Sequence, residues 1–433
     1  MIGYLNNIVW GYILLVLMLG TGIYFTVKLK AFQFLHIPSI MKNTFFSVFS
    51  KKSSKKISSG ISPFQAASAA LAAAMGTGNI IGVASALVIG GPGAVFWMWI
   101  SAFFGMALVY AENYLGTVFS KNGKVKGTPA YLEYGTGKKY LAAAFCLFCS
   151  LASLGMGNMT QINSVASAFH DTFGIPPIYT GLLCALPVFF IISGGIKRIG
   201  KLSAVLIPVL SFLYIAAALF IIVKFKSRLP ETFSEIFKGA FGIKAAGGGI
   251  SGELIRRTVS TGLRRGVFSN EAGLGSSPLF HSESESSDPQ RQGQWAAAEV
   301  FIDTIICCTV TALAVLVSGS LSSGTNGAAL ISETFSKAFG NAAPYFTSLS
   351  VALFAFATLI SWYHCGKVCT SYIFGIKAES FYRIIFVFCV VIGSYTKLET
   401  VWSLSDLFNG LMAIPNLTGV IMLRNKVTIR KRQ

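Results

Sequence analysis

The sequence predicts an all-α integral membrane protein of about eleven transmembrane helices: one leading helix, then two inverted five-helix repeats with broken first helices. Three observations carry that reading. The 433 residues are 53% hydrophobic and only 12% charged, with mean hydropathy +0.65. Soluble domains carry about 25% charged residues, so this chain cannot hide its apolar surface in one soluble core. The apolar residues fall in runs of roughly twenty, the length of one crossing. One of these runs is interrupted at its centre by Gly76-Thr77-Gly78-Asn79.

The leading helix lies within residues 1–30, with its apolar run at Ile8–Val27. No basic residue precedes that run and Lys28 and Lys30 follow it, which predicts a retained anchor with the N-terminus outside. Residues 31–61 form a basic loop with Lys42, Lys51, Lys52, Lys55 and Lys56. The first repeat, 62–224, holds Pro63–Ile89, Ala94–Val118, Leu141–Phe169, Ile178–Ile196 and Leu202–Val223. The second, 225–424, holds Ala240–Ser269, Gly293–Gly319, Tyr345–Tyr372, Phe381–Tyr395 and Val401–Leu423, before a basic tail at 425–433. Ala240–Ser269 is the weakest span by hydropathy, with Gly247-Gly248-Gly249 and then Arg256, Arg257, Arg264 and Arg265.

Loop charge supports the count. Lys121, Lys124, Lys126, Lys138 and Lys139 follow the third span, Lys197, Arg198 and Lys201 the fifth, and Arg424, Lys426, Arg430, Lys431 and Arg432 the last. The alternate loops near Gly91, Asp171 and Gly324 carry almost no Lys or Arg. Positive loops stay inside, so the C-terminus is expected to be cytoplasmic, provided that Ala240–Ser269 crosses. The same rule accounts for the net charge of +19 with no nucleic acid partner. Lys224, Lys226, Arg228 and Lys238 fall outside, partly offset by Glu231 and Glu235. Cys146-x-x-Cys149 lies in an apolar helix with no second pair nearby, and reads as buried thiols rather than a metal or redox site.

Two glycines, a hydroxyl and an amide are poor helix formers, and in lipid the freed N–H and C=O groups need partners. A break at mid-depth makes sense where those groups face a solute or an ion, the pattern of secondary transporters. The glycines at 247–249 are the corresponding feature of the second repeat, either a second break or a loop outside the membrane. The inverted relation rests on topology, since the halves show no residue-level similarity.

Several motifs recur in order along the chain: Ser62-Pro63-Phe64-Gln65, Gly76-Thr77-Gly78-Asn79, Gly90-Gly91-Pro92-Gly93 with Trp97-Met98-Trp99, and Tyr110-Ala111-Glu112. They continue through Gly157-Asn158-Met159, Arg265-Gly266-Val267-Phe268-Ser269-Asn270-Glu271-Ala272-Gly273, Phe301-Ile302-Asp303-Thr304 and Met412-Ala413-Ile414-Pro415-Asn416-Leu417. In these the chain resembles the alanine or glycine:cation symporter family, the sodium:alanine symporters. The resemblance implies a leucine-transporter-like fold in the cell membrane, a bacterial inner membrane, and sodium-coupled uptake of small neutral amino acids without an organic cofactor. Three positions depart from the family pattern. Two adjacent threonines read Ala357-Thr358, a Tyr-Tyr-Gly-Glu-like run reads His364-Cys365-Gly366-Lys367, and a Gly-Gly-Phe reads Gly248-Gly249-Ile250. These bear on ion and side-chain preference, not on the fold.

A zwitterion needs donors for its carboxylate and acceptors for its ammonium. The helix half that starts at the first break presents N–H groups and a positive dipole end, so Thr77, Gly78 and Asn79 are the carboxylate candidates. Packing through Gly78-x-x-x-Gly82 is the plainer alternative. The ammonium would meet the segment Gly249, Ile250, Ser251 and Gly252. Asn158, Gln161 and Asn163 serve either substrate contact or interhelical hydrogen bonding. Trp362 either packs or walls the side-chain pocket. By analogy with the leucine-transporter fold, sodium would take the carbonyls of Ala72, Met75 and Phe354 with the Thr358 hydroxyl. Ala357 removes one expected hydroxyl, which water or Ser361 could replace; proton coupling is the alternative.

Charges at depth cost at least about 2.5–3.5 kcal/mol at the centre and need partners. Asp303 is the outstanding one, expected to neutralise Arg257 or Arg264 or to help bind the ion. Glu112 is expected to meet a cytoplasmic Arg as gate or strut, and Glu271 to brace the inner end of its span. His281-Ser282-Glu283 is placed in a polar loop, with no nucleophile motif around it, and no phosphate-binding Gly-x-x-x-x-Gly-Lys-Ser/Thr loop is present. An enzyme is therefore excluded in favour of a symporter for alanine or glycine, with a glutamine-selective carrier or an uncoupled amino-acid-binding channel or receptor as alternatives.

Overall fold

The computed structural model describes residues 2–35, 37–44, 60–120, 124–242 and 251–429. Regular structure within them is helical, apart from an isolated parallel bridge between Ile61 and Ser284. The leading segment is α1 (Ile2–Val9) and α2 (Tyr12–Lys28), then the short α3 (Phe32–Leu35) and α4 (Ile37–Asn43). α5 (Pro63–Ala74) and α6 (Ile81–Gly90) form one interrupted helix, and α7 (Ala94–Ser120) returns. After α8 (Thr128–Ala130) come α9 (Lys139–Leu154), α10 (Thr160–Phe173), α11 (Pro177–Ser193) and α12 (Gly195–Lys224). Then follow α13 (Leu229–Ala240), α14 (Ser251–Asn270), α15 (Ser277–His281), α16 (Pro289–Val300) and α17 (Thr309–Val317). α18 (Gly327–Phe339), α19 (Ala343–Phe374), α20 (Ala378–Tyr395) and α21 (Leu398–Met422) complete the bundle.

Among the described residues, 6 helical runs are long and apolar enough to cross a membrane: α7, α9–α10, α12, α16–α17, α18–α19 and α20. Leu14–Lys28, α6 and α11 are shorter apolar helices. The chain is a multi-pass membrane protein. α14 is not among the apolar runs, because Arg256, Arg257, Arg264 and Arg265 all lie on it. Of the basic cluster that departs from the loop-charge pattern, Lys238 lies on α13. Thr232, Ile236 and Ala240 of that helix are buried, while Glu231, Phe233, Phe237 and Lys238 are exposed. It is a surface helix packed on α7, α14 and α17. The Gly90–Gly93 turn is tight against it: a Cβ on Gly93 would lie 2.3 Å from the Ala240 nitrogen.

Ser62 starts α5 with a reciprocal cap, accepting from the Gln65 N–H while the Gln65 side chain accepts from the Ser62 N–H. Pro63 at the first helical position needs no hydrogen-bond partner for its nitrogen. The alanine-rich helix then ends at Met75, and Thr77–Asn79 make one tight turn before α6 begins.

A second interruption separates α14 from α15. Glu271, Gly273 and Gly275 there have φ of 56°, 88° and 79°. Three left-handed residues within five cannot continue a helix, and glycine supplies two of them without steric cost. The expected break at 247–252 lies largely outside the described residues. Gly249 and Ile250 lie outside the described residues, and Ser251 and Gly252 form the first turn of α14, with Gly252 exposed. α14 packs along α6 and α15 along α5, so the two interrupted helices run antiparallel with their interruptions side by side.

Candidate functional site

The first interruption is wholly buried and held from two sides. The Thr77 N–H donates to Gln161 Oε1 of α10 at 3.1 Å, and Gln161 Nε2 donates to the Met156 carbonyl at 3.0 Å. From α19, the Thr358 hydroxyl donates to the Ala72 carbonyl at 2.7 Å. Gly76 is the position with no room: a Cβ there would lie 2.6 Å from Thr358 Oγ1 and 2.8 Å from Gln161 Oε1. At Gly78 the nearest atom, Phe268 Cδ1, would be 3.4 Å away, and Ser269 Cα 3.7 Å. The last turn of α14 therefore lies against Gly78.

Asp303 joins the two interruptions. Asn79 Nδ2 donates to Asp303 Oδ1 at 2.6 Å and to the Asp303 carbonyl at 3.0 Å. The hydroxyls of Ser269 and Thr304 both donate to Asp303 Oδ2 at 2.7 Å. This corrects the expected pairing of Asp303 with arginine. Arg264 instead pairs with Asp406 of α21 and lies over the Trp10 ring, and Arg257 is exposed. Asp303 sits in a stretch of wide i→i+5 turns, Phe301–Cys308, between α16 and α17. A second such stretch, Gly155–Met159, separates α9 from α10 and receives Trp362: a Cβ on Gly157 would lie 2.2 Å from Trp362 Cβ. Wide turns of this kind gather at functional sites.

Glu271 braces the second interruption as expected in kind. It accepts from Trp362 Nε1 at 2.9 Å and from the Ser276 hydroxyl. Glu112 meets no arginine among the described residues. It accepts from Asn416 Nδ2, whose amide also donates to the Gly273 carbonyl at 2.9 Å, so it supports the second interruption through α21. Asn158 donates to the Phe386 carbonyl at 2.7 Å, and Asn163 to those of Gly393 and Thr396 at 2.9 and 2.7 Å. Both amides tie α10 and the preceding wide turns to α20 and its end. Met75 and Phe354 are buried, with Met75 Sδ accepting from the Ser211 hydroxyl at 3.6 Å and Phe354 edge-on to Tyr214.

Thr304 and Cys308 belong to this centre and were missed by sequence reading, which had no signal for the wide turn that aims them inward; Ser269, read only as a brace beside Glu271, joins them from α14. Cys146 and Cys149 of α9 meet Cys369 of α19, so a further thiol does stand nearby. No group of three or more His, Cys, Asp or Glu able to hold a metal is present among the described residues.

Several buried polar atoms around the interruptions have no hydrogen-bond partner: Thr77 Oγ1, Asn79 Oδ1, Asn158 Oδ1, Asn270 Nδ2 and Ser361 Oγ. Buried polar atoms are nearly always paired, and a polar ligand seated between the interruptions would supply partners here. Cavities open toward either end of the bundle. One of ≈ 520 Å³ is bordered by Lys126, Glu283, His364, Lys367 and Glu379. Another of ≈ 610 Å³ lies between the leading helices and α14 and is bordered by Trp10, Leu15, Ile255, Leu263 and Arg264.

A multi-pass helical bundle with two adjacent buried helix interruptions and unsatisfied polar groups defines a membrane transporter, not an enzyme. The comparisons agree. The model of the sodium:alanine symporter family matches residues 1–433, and the chain belongs to that family. It is 39% identical to a sodium/alanine symporter of Methanococcus maripaludis, over 98% of this chain and 94% of that protein. It is 37% identical to a probable sodium/glutamine symporter of Bacillus subtilis, over 98% of this chain and 88% of that one. The fold is shared with a solved sodium-coupled sialic acid symporter, with TM-score 0.60 at 15% identity, over 97% of this chain and 87% of that one.

Proposed function

We propose that this chain couples sodium entry to uptake of a small neutral amino acid, alanine or glycine, by alternating access across a bacterial inner membrane. Its N-terminus is outside and its C-terminus cytoplasmic, with residues 62–224 and 225–424 as inverted repeats. The observation that carries this is the cluster of unpartnered polar atoms at the paired interruptions. The carboxylate is received by the N–H groups and hydroxyl at Thr77–Asn79, and the ammonium by main-chain acceptors freed beside Ser269 and Asn270. Gln161 positions the first interruption, and Trp362 closes the side-chain pocket from the Glu271 side. A small pocket suits alanine and glycine; one methylene changes discrimination by only about 1–3 kcal/mol.

Sodium is cargo here, and two oxygen sets suit it. One is the Ala72 carbonyl with the Thr358 hydroxyl, completed by the carbonyls of Met75 and Phe354. The other is the Asp303 carboxylate with Ser269, Thr304 and the free Asn79 Oδ1. A carboxylate with no Lys or Arg partner among the described residues also favours proton coupling as a second reading. Uptake of labelled alanine, glycine and glutamine into proteoliposomes, with an inward sodium or proton gradient, tests both. Sodium-driven accumulation of alanine or glycine is the expected result. Passive equilibration without trans-stimulated exchange would make the protein a channel.

A further inference from the structure

His281 closes the short helix α15 and is buried, as are its partners Gln292 and Glu299 on α16. Its Nδ1 lies 2.7 Å from Gln292 Oε1, and its Nε2 lies 2.9 Å from Glu299 Oε1. The Gln292 amide is oriented by its own Nε2, which donates to the Ser286 carbonyl at 3.2 Å. Both ring nitrogens therefore face oxygen acceptors. A neutral imidazole beside an ionised Glu299 has only one ring hydrogen for two contacts, leaving one acceptor against another. Satisfying both contacts takes one more proton, shared between His281 and Glu299, and the pair is then neutral overall.

The same segment closes one end of the bundle. Beyond α15, the Ile61 N–H donates to the Glu283 carbonyl at 3.2 Å and the Glu285 N–H to the Ile61 carbonyl at 3.0 Å. Lys126 pairs with Glu283 at 2.8 Å, at the edge of the ≈ 520 Å³ cavity that His364 also borders. α15 lies beside that cavity, with His364 Nε2 3.3 Å from the Leu279 carbonyl.

We propose that the proton held between His281 and Glu299 is a latch: while it is bound α15 stays fixed to α16, and its loss frees α15 to move toward the cavity. Without that proton a carboxylate would be buried beside a neutral ring, and admitting water is the direct way to relieve the cost. The latch rests on the alternating-access reading given above; the proton holding does not.

Other titratable groups face this region from each packed element. They are Tyr110 and Glu112 on α7, His364 on α19, Glu271 in the interruption and Glu283 in the following turn. With both ring nitrogens on oxygen acceptors, the folded state holds that proton. The stabilising effect of the pair is present while the proton is bound and is lost as rising pH removes it.

The test compares wild type with Glu299→Gln and His281→Gln by two readouts between pH 6 and 9. Thermal unfolding in detergent should show the wild type losing stability with rising pH more steeply than either variant, the slope left in the variants belonging to the other buried carboxyls. Alanine exchange in proteoliposomes should rise with cytoplasmic-side pH in the wild type, by up to about tenfold per unit, and lose that slope in Glu299→Gln. Parallel unfolding curves for wild type and Glu299→Gln would overturn the shared proton. Different unfolding curves with superimposable exchange profiles would overturn the latch. A wild type that exchanges no amino acid would overturn the transport reading, with the unfolding curves still judging the proton.

Discussion

Asn79 Nδ2 and Asp303 Oδ1 lie 2.6 Å apart, one from the first helix interruption and the other from a wide turn more than two hundred residues along the chain. Ser269 completes the link from the second interruption. One carboxylate thus senses both unwound segments.

Replacing Asp303 with Asn keeps the volume and removes the charge. Three donors then meet a group with one acceptor oxygen, at a cost of about 1–3 kcal/mol for a buried donor left unmade. We expect Asp303→Asn to insert, unfold at lower temperature and lose cation dependence of uptake. Wild-type sodium dependence in this variant would remove Asp303 from the ion site.

The two glycines of the first interruption should behave differently. Gly76→Ala forces Thr358 and Gln161 apart, and a displacement of about 1 Å at such a site can cost a hundredfold in rate. Gly78→Ala should keep most uptake, because its Cβ only reaches ordinary contact with Phe268, whereas Gly78→Val should abolish uptake without preventing insertion. Initial uptake rates normalised to membrane content decide this; equal loss in Gly76→Ala and Gly78→Ala would contradict it.

Thr358→Ala removes the hydroxyl that meets the Ala72 carbonyl. At about 0.5–1.5 kcal/mol for such an interaction, the sodium concentration for half-maximal uptake should rise roughly three- to tenfold. Thr358→Ser should restore it. An unchanged sodium titration would place the cation elsewhere.

Arg264 and Asp406 join α14 to α21. Arg264→Gln leaves Asp406 buried without its cation, so either single change should lower the unfolding temperature more than the double change Arg264→Gln with Asp406→Asn. A double-mutant cycle on thermal stability measures the coupling. Additive losses would show that the pair contributes nothing beyond its members.

The membrane class and the first interruption were legible because composition, apolar run length and Gly76–Asn79 are local signals. The second interruption was not. Gly247–Gly249, the more conspicuous glycine run, lies outside the described residues, and composition does not advertise the left-handed geometry at Glu271, Gly273 and Gly275. Arginine partners for Asp303 and Glu112 were reasonable from charge alone. The structure meets both with amides and hydroxyls instead, partners that come from distant helices and leave no spacing to read. Glu271 and Trp362 were both singled out, but their hydrogen bond depends on the widened turns that seat the indole against Gly157.

Those widened turns have a consequence for how this chain tolerates insertion and deletion. A π-type turn accommodates an extra residue relative to a regular helix, so removing one amino acid within Phe301–Cys308 would let the helix rewind while the flanking faces keep their phase. The same loss from the regular turns of α17 would rotate everything downstream by about 100°. A lost codon in the wide stretch would therefore spare the packing of α17 and remove the turn that aims Asp303 at Asn79 and Ser269.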